Sequence, residues 1–496
     1  MPRFPVAVVD VGSNSARVVV FRRAGGGVLE VMADEHVSLQ LIRELEEDGR
    51  LSKAAVARTL RVLRDFRRLA DAAGAKSILA FGTAALREAR NGEELRARIA
   101  SECGIQLRIM GPDEEAQAGF TGAVYGLPVT GGLVFDIGGG SLQITLYRNR
   151  LRRRACSLPL GALRVSDEFL GSDPPGARQV RKLRKHVAEL LTRARIPRLQ
   201  PGETVVGTGG TVRNLAKLDS RRFDYPIARL HGYELTHGRL RELTSILLGQ
   251  TAAERSTMSG LNASRADSIV GGAIVAEAIL EAGHATRFLV AGQGLREGVV
   301  LDSLLARLPT PARVRENAIA VLASRFGTCD ATRSMRRRKL ALSLYDLLEP
   351  LPDPLVREML GHATAIVDIG RSVDFYRLHA HAASIIRASA LLGFSHREIA
   401  LLSSIVELAD KDGWDPRRCS PPLRADDYDC VDRAGVLLCL ADVIEQRRLP
   451  GRASGATGRA KGRAFVLEEA GLAAWVDEEI DARFRKAFGK DLKVAG

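Results

Sequence analysis

The stretch Val6-Ala-Val-Val-Asp10-Val-Gly-Ser-Asn-Ser15 places a short apolar run directly before an acidic turn that contains glycine. A second β-branched run, Val18 to Phe21, follows at once, so the segment predicts a strand, a tight turn and another strand. The same order returns at Leu133 to Phe135, then Asp136-Ile-Gly-Gly-Gly-Ser141, then Ile144 to Tyr147. This repetition indicates an internal duplication.

Strand-like and helical stretches alternate around these two hairpins. We predict helices at Lys53–Ala73 and Arg178–Arg195, and strands at Ser77–Phe81, Thr204–Val206 and Phe288–Ala291. Alternation of this kind over the first 300 or so residues indicates two α/β lobes. From about Pro309 the pattern predicts a separate all-helical domain, with a strand only at Ala464–Leu467 and a loop in the Gly- and Arg-rich segment 452–463.

Composition limits the partners. The formal charge of +14 favours an anionic partner, while aromatic residues make up only 5% of the 496 residues and none interleave with basic runs. We therefore do not expect nucleic acid. The six cysteines have no CxxC spacing, and neither a signal peptide nor an apolar run of membrane length is found. These features predict a soluble, cytoplasmic protein without a membrane partner.

Four glycine-rich turns follow predicted strands: Asp10–Ser15, Asp136–Ser141, Gly207–Thr211 and Gly292–Glu297. One such turn is explained by a hairpin that needs positive φ. Four of them, two led by Asp, are better explained by one cleft in which free amides bind phosphate and carboxylates bind magnesium. No Gly-Lys-Ser/Thr follows, so this is not a P-loop, and the Asp turns lead into strands, unlike a dinucleotide fingerprint.

Two further segments are ambiguous on pattern alone. Asp113-Glu-Glu115 opens a helical stretch, where acidic side chains ordinarily cap the helix and interact with its dipole. Arg87 lies on the first turn of another predicted helix, where an arginine is ordinarily solvated or ion-paired.

These motifs together resemble the exopolyphosphatase and guanosine pentaphosphate phosphatase family of the actin, sugar kinase and hexokinase-like superfamily. The resemblance runs in order through the Asp turns and the following segments: Gly82-Thr-Ala-Ala-Leu-Arg87 with Asn91, Glu114-Glu-Ala116, Gly207-Thr-Gly-Gly-Thr211, Arg265-Ala-Asp267 and Gly294-Leu-Arg-Glu-Gly298. It implies two ribonuclease-H-like (actin-like ATPase) lobes, residues 1–125 and 126–308, and an HD-like helical domain, residues 309–496.

The resemblance also implies the roles of individual residues. Glu115 would be the general base, with Arg87 and Gln143 as further catalytic residues, and Asp136 and Asp10 would bind Mg²⁺, with Mn²⁺ as an alternative. The implied phosphate-binding residues are Ser13, Asn14, Ser15, Thr83, Gly138, Gly139, Gly140, Ser141, Gly209, Gly210, Thr211, Arg265 and Arg296.

Two positions depart from the family pattern. The family usually has Glu where this chain has Gln143, and a neutral amide adds no charge to a cation site. An HD-type metal site needs adjacent His and Asp, but Val367 precedes Asp368. We therefore expect the nearby His362, His379 and His381 to be structural or solvated, and the helical domain to have no metal site of its own.

The activity implied by the resemblance is processive release of orthophosphate from inorganic polyphosphate. Two alternatives stay open. Guanosine pentaphosphate 5′-phosphohydrolysis uses the same chemistry on a shorter anion, and a non-catalytic polyphosphate or nucleotide sensor would have a metal site weakened by Gln143. The resemblance further implies a homodimer. The basic clusters Arg152–Arg154, Arg178–Lys185 and Arg336–Lys339 are either solvated faces or stations along a channel for the polymer.

Overall fold

A computed structural model describes residues 3–349, 351–410, 416–448, 457–461, 464–468 and 478–495. The chain divides into two compact units, residues 1–224 with 229–314 and residues 225–228 with 315–496. The predicted domain boundaries at 125/126 and 308/309 stay predictions.

The first unit contains a five-stranded sheet in the order β3-β2-β1-β4-β5. Its strands are β1 (Val6–Val11), β2 (Ser15–Arg23), β3 (Leu29–Ser38), β4 (Ser77–Gly82) and β5 (Leu107–Ile109). The helices of this part are α1 (Lys53–Ala72), α2 (Ala84–Glu88), α3 (Gly92–Cys103) and α4 (Pro112–Tyr125). The polar strand β3 lacks the apolar alternation of a buried strand, which is why the sequence did not predict it.

A six-stranded sheet in the order β10-β11-β9-β6-β7-β8 follows in the same unit. Its strands are β6 (Gly132–Ile137), β7 (Leu142–Arg148), β8 (Leu151–Leu158), β9 (Thr204–Thr208), β10 (Glu234–Thr236) and β11 (Arg287–Val290). The helices are α5 (Ala162–Phe169), α6 (Ala177–Arg193), α7 (Gly209–Arg222), α8 (His237–Leu248), α9 (Ala252–Ser256), α10 (Ile269–Ala282) and α11 (Leu295–Leu304).

The two sheets repeat one design. In each, a strand that carries an Asp near its end pairs antiparallel with the next strand and parallel with a later one: β1 with β2 and β4, and β6 with β7 and β9. Both central strands are buried and rich in Val and other apolar residues, as expected for strands covered on both faces. The predicted repetition of the hairpin is therefore confirmed.

Helix α11 returns to the first sheet at the end of this unit. Val300 is fully buried in an apolar cluster with Phe81 at the end of β4, Met110, and Ala118 of α4. The cluster fixes α4, which begins close to the ends of β1 and β4, against the sheet. It thereby positions the first turn of α4 for the site described below.

The second unit is predominantly helical. It contains α12 (Pro311–Ser324, which begins in the first unit), α13 (Ala331–Leu348), α14 (Pro354–Ile366), α15 (Leu378–Ala388), α16 (His396–Glu407), α17 (Tyr428–Arg447) and α18 (Glu478–Phe488). One continuous apolar core joins these helices.

The expectation of an all-helical domain is wrong in one respect, because this unit includes a three-stranded sheet. Strands β12 (Thr457–Lys461), β13 (Ala464–Glu468) and β14 (Asp491–Ala495) form it, with β13 in the centre. Phe465 and Leu467 alternate with less buried residues and enter the core, a period of two that favours a strand. Part of the predicted loop 452–463 is thus strand β12, and the rest of it lies outside the described residues.

Candidate functional site

The glycine-rich turns meet at one cleft in the first unit. Every predicted site residue lines this cleft except Arg87 and Thr211. Six further residues line it: Gly12, Ala84, Thr208, Gly294 and Leu295, which lie within the quoted motifs without an assigned role, and Arg213, which lies outside them. The sequence therefore located the cleft almost completely.

The two Asp-led turns have the same local geometry. The amide of Gly12 donates to the carbonyl of Ser15 at 3.0 Å, and the amide of Gly138 donates to the carbonyl of Ser141 at 3.0 Å. Each turn reverses the chain between two strands directly after an Asp. The two carboxylates are thus held at the strand ends that border the cleft.

The two turns also face each other closely. A β-carbon on Gly139 would lie 3.3 Å from Cβ of Asn14, and one on Gly140 would lie 3.2 Å from Oγ of Ser13. Glycine keeps this space free and lets backbone amides approach a bound anion. The observation fits a site for a small, densely charged group such as phosphate.

Asp10 and Asp136 are partly buried carboxylates of the cleft. Burial raises the pKa of both side chains, because removal from water disfavours the charged form. Nη1 of Arg296 donates to Oδ2 of Asp10 at 3.1 Å, and the charge of Asp10 raises the pKa of Asp136 further. Two such carboxylates would be stabilised by a nearby cation.

The donor set fits magnesium better than a metal that needs a full protein cage. Among the described residues, no group of three or more His, Cys, Asp or Glu side chains could hold a metal ion. Mg²⁺ commonly takes only one or two protein carboxylates and fills its other positions with water and substrate phosphate. Asp10 and Asp136 satisfy that requirement.

Glu115 and the preceding Glu114 have different surroundings. Glu114 caps α4 by accepting from the amide of Gly111 at 3.1 Å, as the pattern predicted. Glu115 instead lines the cleft, and burial raises its pKa to about 7, with Asp136 and Asp10 adding to the rise and Arg87 opposing it. A carboxylate with that pKa can accept a proton near neutral pH.

Arg87 and Thr211 lie beside the cleft and do not line it. Nη1 of Arg87 donates to Oε2 of Glu115 at 3.2 Å and to the carbonyl of Met110 at 2.7 Å, so it orients Glu115. Thr211 is buried in α7, where its methyl group lies against Gly272 of α10. The predicted phosphate contact of Thr211 is that of its backbone amide, and it stays a prediction.

Three arginines supply positive charge to the cleft: Arg213, Arg265 and Arg296. The guanidinium of Arg265 covers Gly210, where a β-carbon would lie 2.1 Å from Nη2. Burial lowers the pKa of Arg213 to about 10, with further lowering by Arg296 and Arg17. Neither Arg213 nor Arg265 forms an ion pair with any residue that the structure describes.

Arg213 lines the cleft but lies outside the motifs that the sequence indicated. It lies one helical turn after Gly209, at the start of α7. A basic residue on the first turn of a helix that follows a glycine-rich loop was the available signal.

Gln143 lies opposite Asp136 in the pairing of β6 with β7. Its Nε2 donates to Oγ of Ser157 at 3.0 Å, while its buried Oε1 has no hydrogen-bond partner. An unsatisfied buried carbonyl oxygen normally costs stability. Its position next to Asp136 makes it available to a cation or to a water bound there.

Beside the cleft, ion pairs join segments that connect the strands of the first sheet to segments that connect the strands of the second. Arg43, in the 3₁₀ turn Leu41–Glu44, pairs with Asp167 at 2.6 Å and with Asp267 at 2.5 Å. Arg164 pairs with Glu88 at 2.8 Å and donates to the carbonyl of Gly140 at 2.9 Å. These contacts bridge sequence separations too large for any local pattern to predict.

The histidines of the second unit have ordinary structural neighbours. Asp368 accepts from Arg337 at 2.6 Å and from Arg371 at 2.8 Å, and His362 lies against Glu358 and Phe394. His379 is 3.7 Å from Asp410. The prediction that this unit has no metal site of its own stays a prediction.

The three basic clusters differ in their surroundings. Arg152, on edge strand β8, pairs with Asp113 of α4. Arg337 is buried between Asp368 and Asp442, and Arg336 pairs with Glu445. Arg152, Arg336 and Arg337 are thus engaged within the protein, and a role of these two clusters in a channel stays a prediction. The cluster on α6 is exposed.

Comparisons with known proteins agree on one family. The sequence model of the Ppx/GppA phosphatase family matches residues 19–307, and that of Ppx/GppA phosphatase, domain III, matches residues 314–463. Exopolyphosphatase 1 of Mycobacterium tuberculosis is 30% identical over 337 residues, which are 67% of this chain and 98% of that protein.

Solved structures give the same result. The Ppx/GppA family member of Aquifex aeolicus superposes with a TM-score of 0.54 at 28% identity, covering 60% of this chain and 97% of its own. An exopolyphosphatase from Cytophaga hutchinsonii shares the fold with a TM-score of 0.55 at 23% identity, again over 60% of this chain and 97% of its own. In the described residues, no helix has the length and apolar character needed to cross a membrane.

Proposed function

The chain belongs to the Ppx/GppA phosphatase family, and we propose that it is an exopolyphosphatase, a hydrolase that releases orthophosphate from the end of inorganic polyphosphate. The main support for this proposal is that Glu115, with a pKa of about 7, borders the same cleft as two facing glycine turns and three arginines. That arrangement offers a base, a phosphate cradle and charge neutralisation together, which are the main requirements of phosphoryl transfer.

The terminal phosphate would lie between the turns 12–15 and 138–141. Amides of Gly139–Ser141 and Gly209–Gly210 would donate to its oxygens, and Arg265, Arg213 and Arg296 would offset its negative charge. Because the donors are fixed by backbone turns, little reorganisation is needed when charge moves toward the leaving phosphate. The side chains of Ser13, Asn14, Ser15 and Thr83 complete the wall of this site.

Glu115 would take the proton from the attacking water. Arg87 holds the Glu115 carboxylate from behind through its 3.2 Å contact and favours its ionised form. A general base of this kind contributes roughly 10²- to 10⁴-fold to a rate.

Asp10 and Asp136 would hold a magnesium ion, and Gln143 would contact it or its water through Oε1. When bound, the ion supplies positive charge to the phosphate oxygens. Arg296, which now pairs with Asp10, would then turn to the substrate. Manganese would suit the same oxygen ligands.

The proposal includes a finer assignment of the fold. The shared strand arrangement β3-β2-β1-β4 and β8-β7-β6-β9 supports two ribonuclease-H-like lobes. Processivity, an HD-like origin of the helical unit, a homodimer and a cytoplasmic location stay predictions.

A parallel assay tests the function. Orthophosphate release from long-chain polyphosphate and from guanosine pentaphosphate is measured with and without magnesium. We expect magnesium-dependent release from polyphosphate at the higher kcat/KM. Release from the nucleotide alone would favour the pentaphosphate phosphohydrolase, and binding without release from either would favour a sensor.

A further inference from the structure

Helix α6 presents a basic face to solvent. Arg178, Arg181, Lys182 and Lys185 recur at spacings of three and four residues, which places them on one side of the helix. All four side chains belong to exposed residues. The face spans about 10 Å along the helix axis.

These four exposed side chains have almost no acidic partners. Arg178 and Arg181 form no ion pair with any residue in the described ranges, and Lys185 reaches Glu189 only at 3.9 Å. Arg184, on another side of the same helix, pairs with buried Glu277 at 2.7 Å. The exposed face therefore keeps its positive charge.

The charges also lie at the unfavourable end of the helix. α6 begins at Ala177, and its first carboxylate is Glu189, so the basic residues occupy the N-terminal half. Cations near a helix N-terminus oppose the helix dipole and cost stability. Of the four residues only Arg178 lies in the first turn, where the dipole acts, so an anion on this face would be held mainly by the four side chains.

Helix α5 connects this face to the cleft. The amide of Ala162, at its start, donates to the carbonyl of Gly138 at 2.9 Å. At its end, the ring of Phe169 lies 5.5 Å below Nζ of Lys182 and 4.8 Å from the ring of His186. Eight helical residues rise about 12 Å, so Lys182 lies one short helix away from the phosphate cradle.

We propose that the basic face of α6 binds the distal part of a long polyphosphate chain while the chain's end occupies the cleft. This inference rests on the proposed exopolyphosphatase function. A flexible polymer with a negative charge on every unit can bridge the distance and contact several cations at once. Helix α6 contains no Phe, Tyr or Trp on which nucleic acid bases would stack, which favours the inorganic polymer.

The test compares chain lengths. In one variant Arg178, Arg181, Lys182 and Lys185 are all replaced by Gln, which keeps the helical propensity. The control variant carries Lys53→Gln, Arg61→Gln, Arg64→Gln and Arg68→Gln, four exposed basic positions of α1. The control variant loses four positive charges, as the α6 variant does, but from helix α1. Orthophosphate release is measured from chains of several hundred phosphates and from tripolyphosphate, at low and moderate salt.

For the α6 variant, we expect kcat/KM on long chains to fall about ten-fold at low salt, mainly through KM, with tripolyphosphate changed less than two-fold. The rate on long chains should also lose part of its salt dependence, since fewer counterions are displaced. The control should leave both substrates unchanged. An equal loss on both chain lengths, or the same loss in the control, would overturn the proposal.

A binding measurement separates this inference from the function itself. Affinity for long-chain polyphosphate is measured without magnesium for the unmodified protein and the α6 variant. If no chain is hydrolysed but the α6 variant binds ten-fold more weakly, the exopolyphosphatase function fails while the binding face stands. If the variant loses affinity for duplex DNA and keeps its affinity for polyphosphate, the face binds nucleic acid and the proposal is wrong.

Discussion

Gly209 lies so close to Asp136 that a β-carbon at position 209 would stand 2.3 Å from Oδ1 of the carboxylate. Gly209 also has a φ of 92°, a region that side chains disfavour. The glycine therefore determines where the Asp136 carboxylate can lie, and Asp136 in turn would determine where the cation and the terminal phosphate lie.

We expect Gly209→Ala to lower orthophosphate release at least about 100-fold, because displacing a group at the reacting centre by about 1 Å costs that much. Gly202→Ala is the matched control, since Gly202 has a φ of 84° but no atom within 4 Å of a new β-carbon. Both variants bear the backbone cost of roughly 1–2 kcal/mol. Similar activity in the two variants would contradict the steric role of Gly209.

The pH dependence of the reaction should report Glu115. Its raised pKa of about 7 means that the carboxylate is protonated, and inactive as a base, below that pH. We expect kcat/KM to rise with pH through about 7 at low magnesium. A cation at Asp10 and Asp136 would offset charges that raise this pKa, so the rise should move to lower pH as magnesium increases.

Arg87→Gln should shift the same profile in the opposite direction. The guanidinium of Arg87 lowers the pKa of Glu115, so its removal raises that pKa and moves the rise to higher pH. Arg90→Gln serves as a nearby control because Arg90 does not line the cleft. A profile that keeps its midpoint in Arg87→Gln would show that Arg87 does not tune the base.

The site could be predicted largely from sequence because its turns are local. Asp10 and Asp136 are followed by glycine and Ser within five residues, a spacing that specifies the turn without knowledge of the fold. Arg213 was missed because its local signal is weak: an arginine near the start of a helix after a glycine-rich loop is also common on solvated helix faces. The contacts of Arg43 with Asp167 and Asp267 join residues more than a hundred positions apart, and only the folded chain brings them together.

For the fold, too, elements with a clear local pattern were predicted and those without one were missed. Buried strands such as β1 and β6 are continuous apolar runs and were predicted within a few residues. The edge strands β3 and β8 are rich in charged residues, since one side faces solvent, and they resemble loops in sequence. Strand β14 was missed because its few apolar residues alternate with the charged Asp491 and Lys493, so it lacks the apolar run that indicated the other strands.

Gln143→Glu should strengthen cation binding. A third carboxylate beside Asp136 adds charge to the cation site, so we expect Mn²⁺ to bind about ten-fold more tightly in a direct titration. Without a cation, the added repulsion should lower the thermal unfolding midpoint, and magnesium should restore it. Gln143→Ala, which removes the oxygen ligand, is the control. An unchanged Mn²⁺ affinity in Gln143→Glu would place Gln143 outside the cation's reach.

Arg150 should stabilise helix α4, which carries Glu115. Its buried guanidinium donates to the carbonyls of Val124, Tyr125, Leu127 and Val129, at the end of α4 and in the loop that follows. Arg150→Met leaves these acceptors unsatisfied, and we expect a loss of about 3 kcal/mol in the free energy of unfolding. Arg148→Met removes only a half-exposed pair with Glu203 and should cost less than about 1 kcal/mol. Equal losses in denaturant unfolding would contradict this account.

The most direct test of the central claim is the rate of orthophosphate release from long-chain polyphosphate by Glu115→Gln, with its substrate affinity measured in parallel. Glutamine keeps the shape of the side chain but cannot accept the proton from water. We predict that kcat falls at least about 100-fold while polyphosphate affinity stays within three-fold. A kcat within ten-fold of the unmodified protein would show that Glu115 is not the base and that the cleft works by another route.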